Sequence, residues 1–183
     1  EVQLLLFGNS SVTSNYAQLG GGITCKRATI QLFDRSTIGL NVATSGGGGI
    51  HAENCRILSR STGISGAVLW ANQGGQGGGL YLDGAQAQAD FFSADAAVPA
   101  RIVGNSALFG GAISVVGDAT VRLFDAIVED NLASVRGGAV YIYSGDQTGA
   151  NTRFLMFGGV EGAPGGAVPC ADSEACNHLR NNR

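Results

Sequence analysis

Asp34 and Asp125 each follow a phenylalanine in a short apolar segment, and they are the first residues in the chain that suggest chemistry. Acid–base hydrolysis of a glycosidic bond needs two carboxylates within about 10 Å of each other. Glu129 and Asp130 form a second pair, but adjacent side chains on a strand point to opposite faces, and a solvated turn accounts for them better. His51 and His178 stand alone, with no nucleophile at a recognisable spacing. Cys170 and Cys176 enclose AlaAspSerGluAla, which suits a small disulfide-closed loop in an oxidising compartment. His178 beside them cannot by itself complete a zinc site. Cys25 and Cys55 read as small core residues, with pairing between neighbouring turns as the alternative. The run GlyGlyGlnGlyGlyGlyLeuTyrLeu (74–82) imitates a calcium-binding nonapeptide, yet Gly79 stands where the carboxylate should be. It also lacks the lysine and following helix of a phosphate loop. No residue is therefore assigned to catalysis, to a cofactor or to a metal.

The elements that would have to hold such residues are constrained by composition. Only 14% of the 183 residues are charged, well under the usual quarter, and 44% are hydrophobic. A disordered segment is solvated by more charge than this. Thirty glycines against three prolines indicate an architecture that needs glycine at many fixed backbone positions. The net charge of −3 leaves no electrostatic footprint for nucleic acid or for an anionic membrane surface. No apolar run, Leu4 to Phe7 included, exceeds five residues, too short to insert across a bilayer.

A repeat organises the chain. Asn15, Asn41, Asn72, Asn105 and Asn131 are each followed two residues later by Ala or Gly, and each is preceded three residues earlier by an aliphatic: Val12, Ile38, Leu69, Ile102 and Val128. Eight or nine residues after each Asn comes another aliphatic behind Gly-Gly or Gly-Ala: Ile23, Ile50, Leu80, Ile113 and Val140. Constant pieces at variable spacing are the mark of a solenoid with insertions on its exposed side. The pieces are short, alternating and rich in β-branched and aromatic residues, as in IleGlnLeuPhe (30–33) and AlaValTyrIleTyr (139–143). Three short strands per unit predict an all-β, right-handed parallel β-helix of about six coils, since parallel crossovers are right-handed. The recurrent Asn is expected to occupy a turn, to tolerate left-handed geometry and to bond its amide to the Asn of the next coil. Both ends fall inside a repeat, so residues 1–183 are expected to be a single segment truncated at both ends, with flanking coils in a longer chain.

In this register Asp34 and Asp125 lie three coils apart, roughly 14 Å at the strand spacing, with Ser59 and Ser93 at the positions between them. They do not make a dyad.

GlyGlyAlaIle (110–113), GlyGlyAlaVal (137–140) and GlyGlyAlaVal (165–168) resemble the GGA[ILV] repeats of polymorphic outer membrane proteins and of other bacterial β-helix surface proteins in the pectate-lyase-like superfamily. The companion FxxN motif is absent, and Val128-Glu-Asp-Asn131 and its equivalents take its place. The resemblance implies a secreted, surface-displayed passenger region connected with adhesion. Lyases of that superfamily combine acidic calcium-binding clusters with a basic residue. Here Lys26 is the single lysine, and no acidic cluster is expected to face it.

The sequence thus points to an extracellular or cell-surface interaction module. Its variable stretches, at about 59–68, 83–99 and 145–175, would meet a glycan or a host-cell protein. The alternative is a polysaccharide-active lyase or hydrolase. Trp70 and Tyr81 are candidate carbohydrate contacts, against the plainer reading that they pack across strands. Thr13, Thr24, Thr37, Thr44 and Thr120 do not share one column, as a flat ice-binding array would require.

Overall fold

The computed structural model describes residues 2–61, 68–93, 99–144, 151–157 and 178–183. Every strand pairing among them is parallel, and the chain winds as a parallel β-solenoid with three faces. The first face stacks Gln3–Leu6, Thr29–Phe33, Arg56–Ser61, Gln88–Ser93, Thr120–Phe124 and Arg153–Phe157. The second stacks Ser11–Thr13, Thr37–Gly39, Val68–Trp70, Ala100–Val103, Ala126–Glu129 and His178–Arg180. The third stacks Ile23–Lys26, Ile50–Glu53, Leu80–Asp83, Ile113–Val116 and Val140–Tyr143. The all-β parallel solenoid matches the expected class. The five strands of the third face enclose about four complete turns, fewer than the six coils expected. Cys170 and Cys176 lie outside the described residues.

The aliphatics picked out by the repeat are the inward columns. Val12, Ile38, Leu69, Ile102, Val128 and Leu179 are register partners on the second face, and Ile23, Ile50, Leu80, Ile113 and Val140 on the third. Between the ends these side chains are fully buried. The first face adds Leu32, Ser59, Phe91 and Leu123 in one column. Ser59 there makes room for the large Phe91 ring in the next coil, keeping the core volume filled. Ser59 is therefore an inward core residue and does not lie between Asp34 and Asp125, as the spacing had suggested. That column runs through Ser61 and Ser93 instead, because the strand Arg56–Ser61 is six residues long.

Between the second and third faces, each Asn occupies one rung of a continuous ladder. Asn72 donates its backbone N–H (3.0 Å) and its Nδ2 (2.9 Å) to Asn105 Oδ1, and a second Nδ2 bond reaches Ile38 C=O at 3.0 Å. Asn105 repeats the pattern on Asn131 and on Leu69 C=O. The ladder also takes in Asn182, so it links Asn15 to Asn182 across separations of 26, 31, 33, 26 and 51 residues. At each inner rung the amide oxygen accepts two bonds, which uses both of its lone pairs. Asn41, Asn72, Asn105 and Asn131 are all buried, so these bonds replace water that cannot reach them.

Left-handed geometry falls one residue earlier than expected. Ser14, Leu40, Ala71, Gly104, Asp130 and Asn181, each immediately before a rung, have φ between +49° and +65°. The bend there turns the rung side chain along the axis, and the ladder holds it against the cost that Leu40 and Ala71 incur in this region. The Gly pairs mark the opposite end of the same corner. A Cβ on Gly78 or Gly111 would sit 2.3 Å from the carbonyl oxygen of Gly111 or Gly138 in the next coil.

Cys25 and Cys55 form a disulfide with a Cα–Cα separation of 6.2 Å, the pairing between neighbouring turns left open above, and both are buried in the core. Cys55 occupies a corner held by Ala87 and Ala119 in the next two coils, while Cys25 lies on the third face. Closing 30 residues of chain removes unfolded-state entropy equivalent to about 3.5 kcal/mol.

Replacing Asn105 by Leu orphans the Asn72 N–H and one Asn72 amide hydrogen, both buried, and removes one bond to the Leu69 carbonyl. A loss of about 4 kcal/mol is expected from urea denaturation. Asn15→Leu, at an exposed rung whose oxygen accepts nothing among the described residues, should cost under about 1 kcal/mol. Equal effects would refute the ladder's role. For the disulfide, Cys55→Ala should lower stability by about 3 kcal/mol. A reductant should lower the stability of the wild type by more than it lowers that of the variant.

Candidate functional site

The solenoid places its polar chemistry on outward columns, where side chains of successive coils meet at the strand spacing. On the third face one such column runs Lys26, Glu53, Asp83, Val116, Tyr143, and its neighbour runs Thr24, His51, Tyr81, Ser114, Tyr141. Five groups with acid–base capacity therefore converge there. Lys26 Nζ lies 2.7 Å from Glu53 Oε2, and His51 Nε2 lies 3.3 Å from Glu53 Oε1. Tyr81 donates its hydroxyl to Asp83 Oδ2 at 3.3 Å, and its ring stacks on His51 with centroids 4.7 Å apart. Lys26 thus pairs with one carboxylate, that of Glu53. The anchors Ile23, Ile50 and Leu80 had already aligned these positions, because Lys26, Glu53 and Asp83 each follow their anchor by three residues.

The electrostatics of this cluster follow from its contacts. The Lys26 ammonium, and then His51, hold the Glu53 carboxyl below its ordinary range against a smaller opposing effect of burial. Burial, helped by the Asp83 carboxylate, pushes the Tyr81 phenol up to about 12. Both oxygens of Glu53 are engaged, which is the geometry of a satisfied ion-pair network. Glu53 and Asp83 are nevertheless register partners on neighbouring coils, so their backbones are about 4.8 Å apart. That spacing is compatible with a paired-carboxylate mechanism.

The other sequence candidates have structural roles. Asp34 and Asp125 bend the corner after the first face, with φ of +52° and +51°, and Asp34 accepts the Gly8 N–H of the coil before it at 3.1 Å. Glu129 is not part of a solvated turn. It is buried at the end of its strand and paired with Arg101 and with Arg180, the latter at 2.7 Å. Asp130 is exposed in the turn that follows. Two charges of opposite sign also meet on the first face. Arg122 grips the buried Asp90 with Nε and Nη2 at 2.7 and 2.6 Å, a fork geometry that compensates the buried carboxylate.

Trp70 and Tyr81 are not brought together. Trp70 ends a strand of the second face, where its indole lies over Gly39 of the preceding coil, so close that a Cβ on Gly39 would sit 2.2 Å from Nε1. Tyr81 lies on the third face with one ring side covered by His51. The phenylalanines of the first face stack outward, Phe7 on Phe33 at 4.7 Å and Phe92 on Phe124 on Phe157 at 4.5 and 4.7 Å. Arg60 fills the gap in the column, 5.9 Å above the Phe92 ring. Rings stacked face to face along the axis present their edges to solvent, which makes a poor platform for a sugar ring. The threonines are dispersed, with Thr13 and Thr37 on the second face, Thr24 on the third and Thr120 on the first. A groove of about 260 Å³ runs beside the ladder, between Gln73, Ser106, Leu108 and Leu132.

Among the described residues no group of three or more metal-ligating side chains is assembled. Comparison with protein-family models, with curated proteins and with solved structures finds no match.

The raised Tyr81 value has a consequence for stability. Its neutral phenol is favoured by folding, so the contribution is complete below pH ~10, the unfolded value, and is lost as pH rises toward about 12. Alkaline titration of phenolate absorbance should show a component near this pH that Tyr81→Phe removes. If the variant's titration is unchanged, the phenol is not in the environment described.

Proposed function

We propose that the chain is a structural and interaction module, a stiff β-solenoid of an extracellular or cell-surface protein that displays variable segments to a glycan or host-cell protein. The observation that carries this reading is the constancy of the ladder. Rungs 26 to 51 residues apart make the same bonds, so the additional residues are accommodated outside the rungs. A scaffold whose geometry is indifferent to the length of its connections is suited to carrying recognition in those connections. The stretches 59–68, 83–99 and 145–175 are the contact regions in this reading. The Cys25–Cys55 disulfide fits an oxidising compartment, and the GGA[ILV] repeats support an adhesin-like passenger.

A second reading, polysaccharide cleavage by a lyase or hydrolase, is favoured by the Glu53–Asp83 pairing beside Lys26. One experiment separates the two. The protein is incubated with a panel of polysaccharides, polyuronates included, and with host-cell surfaces, following co-sedimentation and product release together. Binding without release is the expected result. Release that is abolished by Glu53→Gln and by Asp83→Asn would establish the enzyme, and failure to bind any surface would overturn the display reading.

A further inference from the structure

The net charge of −3 is not spread evenly over the chain. Within residues 2–61 the cations Lys26, Arg27, Arg35, Arg56 and Arg60 stand against two carboxylates, Asp34 and Glu53, a surplus of three positive charges. Lys26 is paired with Glu53, and Asp34 accepts the Gly8 N–H. The four arginines are all exposed, and among the described residues none of them has an ion pair.

The fold gathers these arginines around the first face. Arg56 and Arg60 project outward from one strand, because the alternating residues Ile57 and Ser59 are the buried, inward ones. Four residues on a strand span about 13 Å. Their register partners in the preceding coil are Thr29 and Phe33, and Arg27 stands two residues before the first of these and Arg35 two after the second. The four guanidinium groups therefore frame a patch two coils wide, with Gln31 and Leu58 half-buried at its centre. Arg60 lies 5.9 Å from the centroid of the Phe92 ring, a contact that orients its guanidinium without neutralising it. No exposed carboxylate on this face opposes the patch. Its six strands carry Arg56, Arg60, Arg122 and Arg153 against a single acid, Asp90, which is buried and gripped by Arg122.

We infer that this patch binds a sulfated polysaccharide. The inference rests on the display reading for the source of the ligand, a cell-surface glycan, and places the contact on the scaffold itself. Unpaired cations fixed on a rigid sheet favour a partner that carries anions along its length. All four cations of the patch are arginines, and the single lysine of the chain is engaged by Glu53. A guanidinium is weakly hydrated and offers its donors in a planar fork. A sulfate ester is also weakly hydrated and presents three oxygens to such a fork, whereas a carboxylate gives up tightly held water to make the same bonds. Recognition through charge and hydrogen bonds does not need the ring platform that the stacked phenylalanines fail to provide.

The test measures binding of the purified chain to heparin, to chemically desulfated heparin, to a polyuronate and to a single-stranded oligonucleotide, all at low ionic strength. Heparin should bind best, and added salt should weaken it. Arg56→Gln and Arg60→Gln together should weaken heparin binding about tenfold or more. Arg136→Gln, which removes an exposed arginine at the ladder corner, should leave it unchanged. Thermal melting of each variant checks that the coils remain folded. No binding of heparin, equal binding of any of the other three polymers, or equal effects of the Arg56/Arg60 and Arg136 variants would each overturn the proposal. Co-sedimentation with host-cell surfaces is followed in parallel. Cell binding that persists without heparin binding would overturn this inference and leave the display reading standing, whereas loss of both would overturn both.

Discussion

The hydrogen bonds between successive asparagines are the constraint on which the rest of this structure depends. A β-solenoid must turn its chain sharply three times per coil, and each turn threatens to bury backbone groups without partners. Here one side chain resolves the problem at one corner by taking two bonds on its oxygen and giving two from its nitrogen. That bonding pattern requires the residue before it to adopt a left-handed bend, which is why Leu40 and Ala71 tolerate a conformation they would otherwise avoid. It also requires small residues opposite, since a Cβ on Gly22 would lie 2.8 Å from the Asn41 amide nitrogen. The inward aliphatics, three residues ahead of each rung, are then aligned without further instruction.

Much of this was legible because the ladder and its aliphatic column sit at a fixed offset in the sequence. The aliphatic-x-x-Asn step exposes the second face and the anchor eight or nine residues later exposes the third, whatever lies between. The first face was harder to place, because the connections that leave its strands toward the second face vary in length, as between Ser61 and Val68 and between Phe124 and Ala126. The spacing accordingly assigned Ser59 to the corner column when Ser61 belongs there. The disulfide was obscured for a related reason. Cys25 lies two residues beyond Ile23 and Cys55 five beyond Ile50, so the two do not occupy equivalent positions, and the bond runs from a strand to the corner after the next one. Outward columns carry no hydrophobic periodicity of their own, so the convergence of Lys26, Glu53 and Asp83 is legible only by counting three residues on from the anchors Ile23, Ile50 and Leu80.

The polar groups on the outside follow a common rule. Where a charge is shielded from water, as at Asp90 and Glu129, arginines from neighbouring coils neutralise it. The third-face cluster is more open and correspondingly less strongly coupled, with Lys26 two-thirds exposed. Lateral side-chain columns therefore reinforce the same coil-to-coil contacts as the backbone bonds, and stability accumulates between neighbours along the axis.

The position of the single described disulfide gives this additive structure a mechanical polarity. Cys25 and Cys55 clamp the first coils described, and among the described residues the strands beyond Cys55 have only neighbour contacts to hold them. Under tension, or under attack by a protease, coils would peel away from the unclamped end one after another, and the clamped end would be the last to yield. The molecule would give way like a zipper with one end sewn shut, its resistance set by the weakest single coil contact and not by the sum of them all.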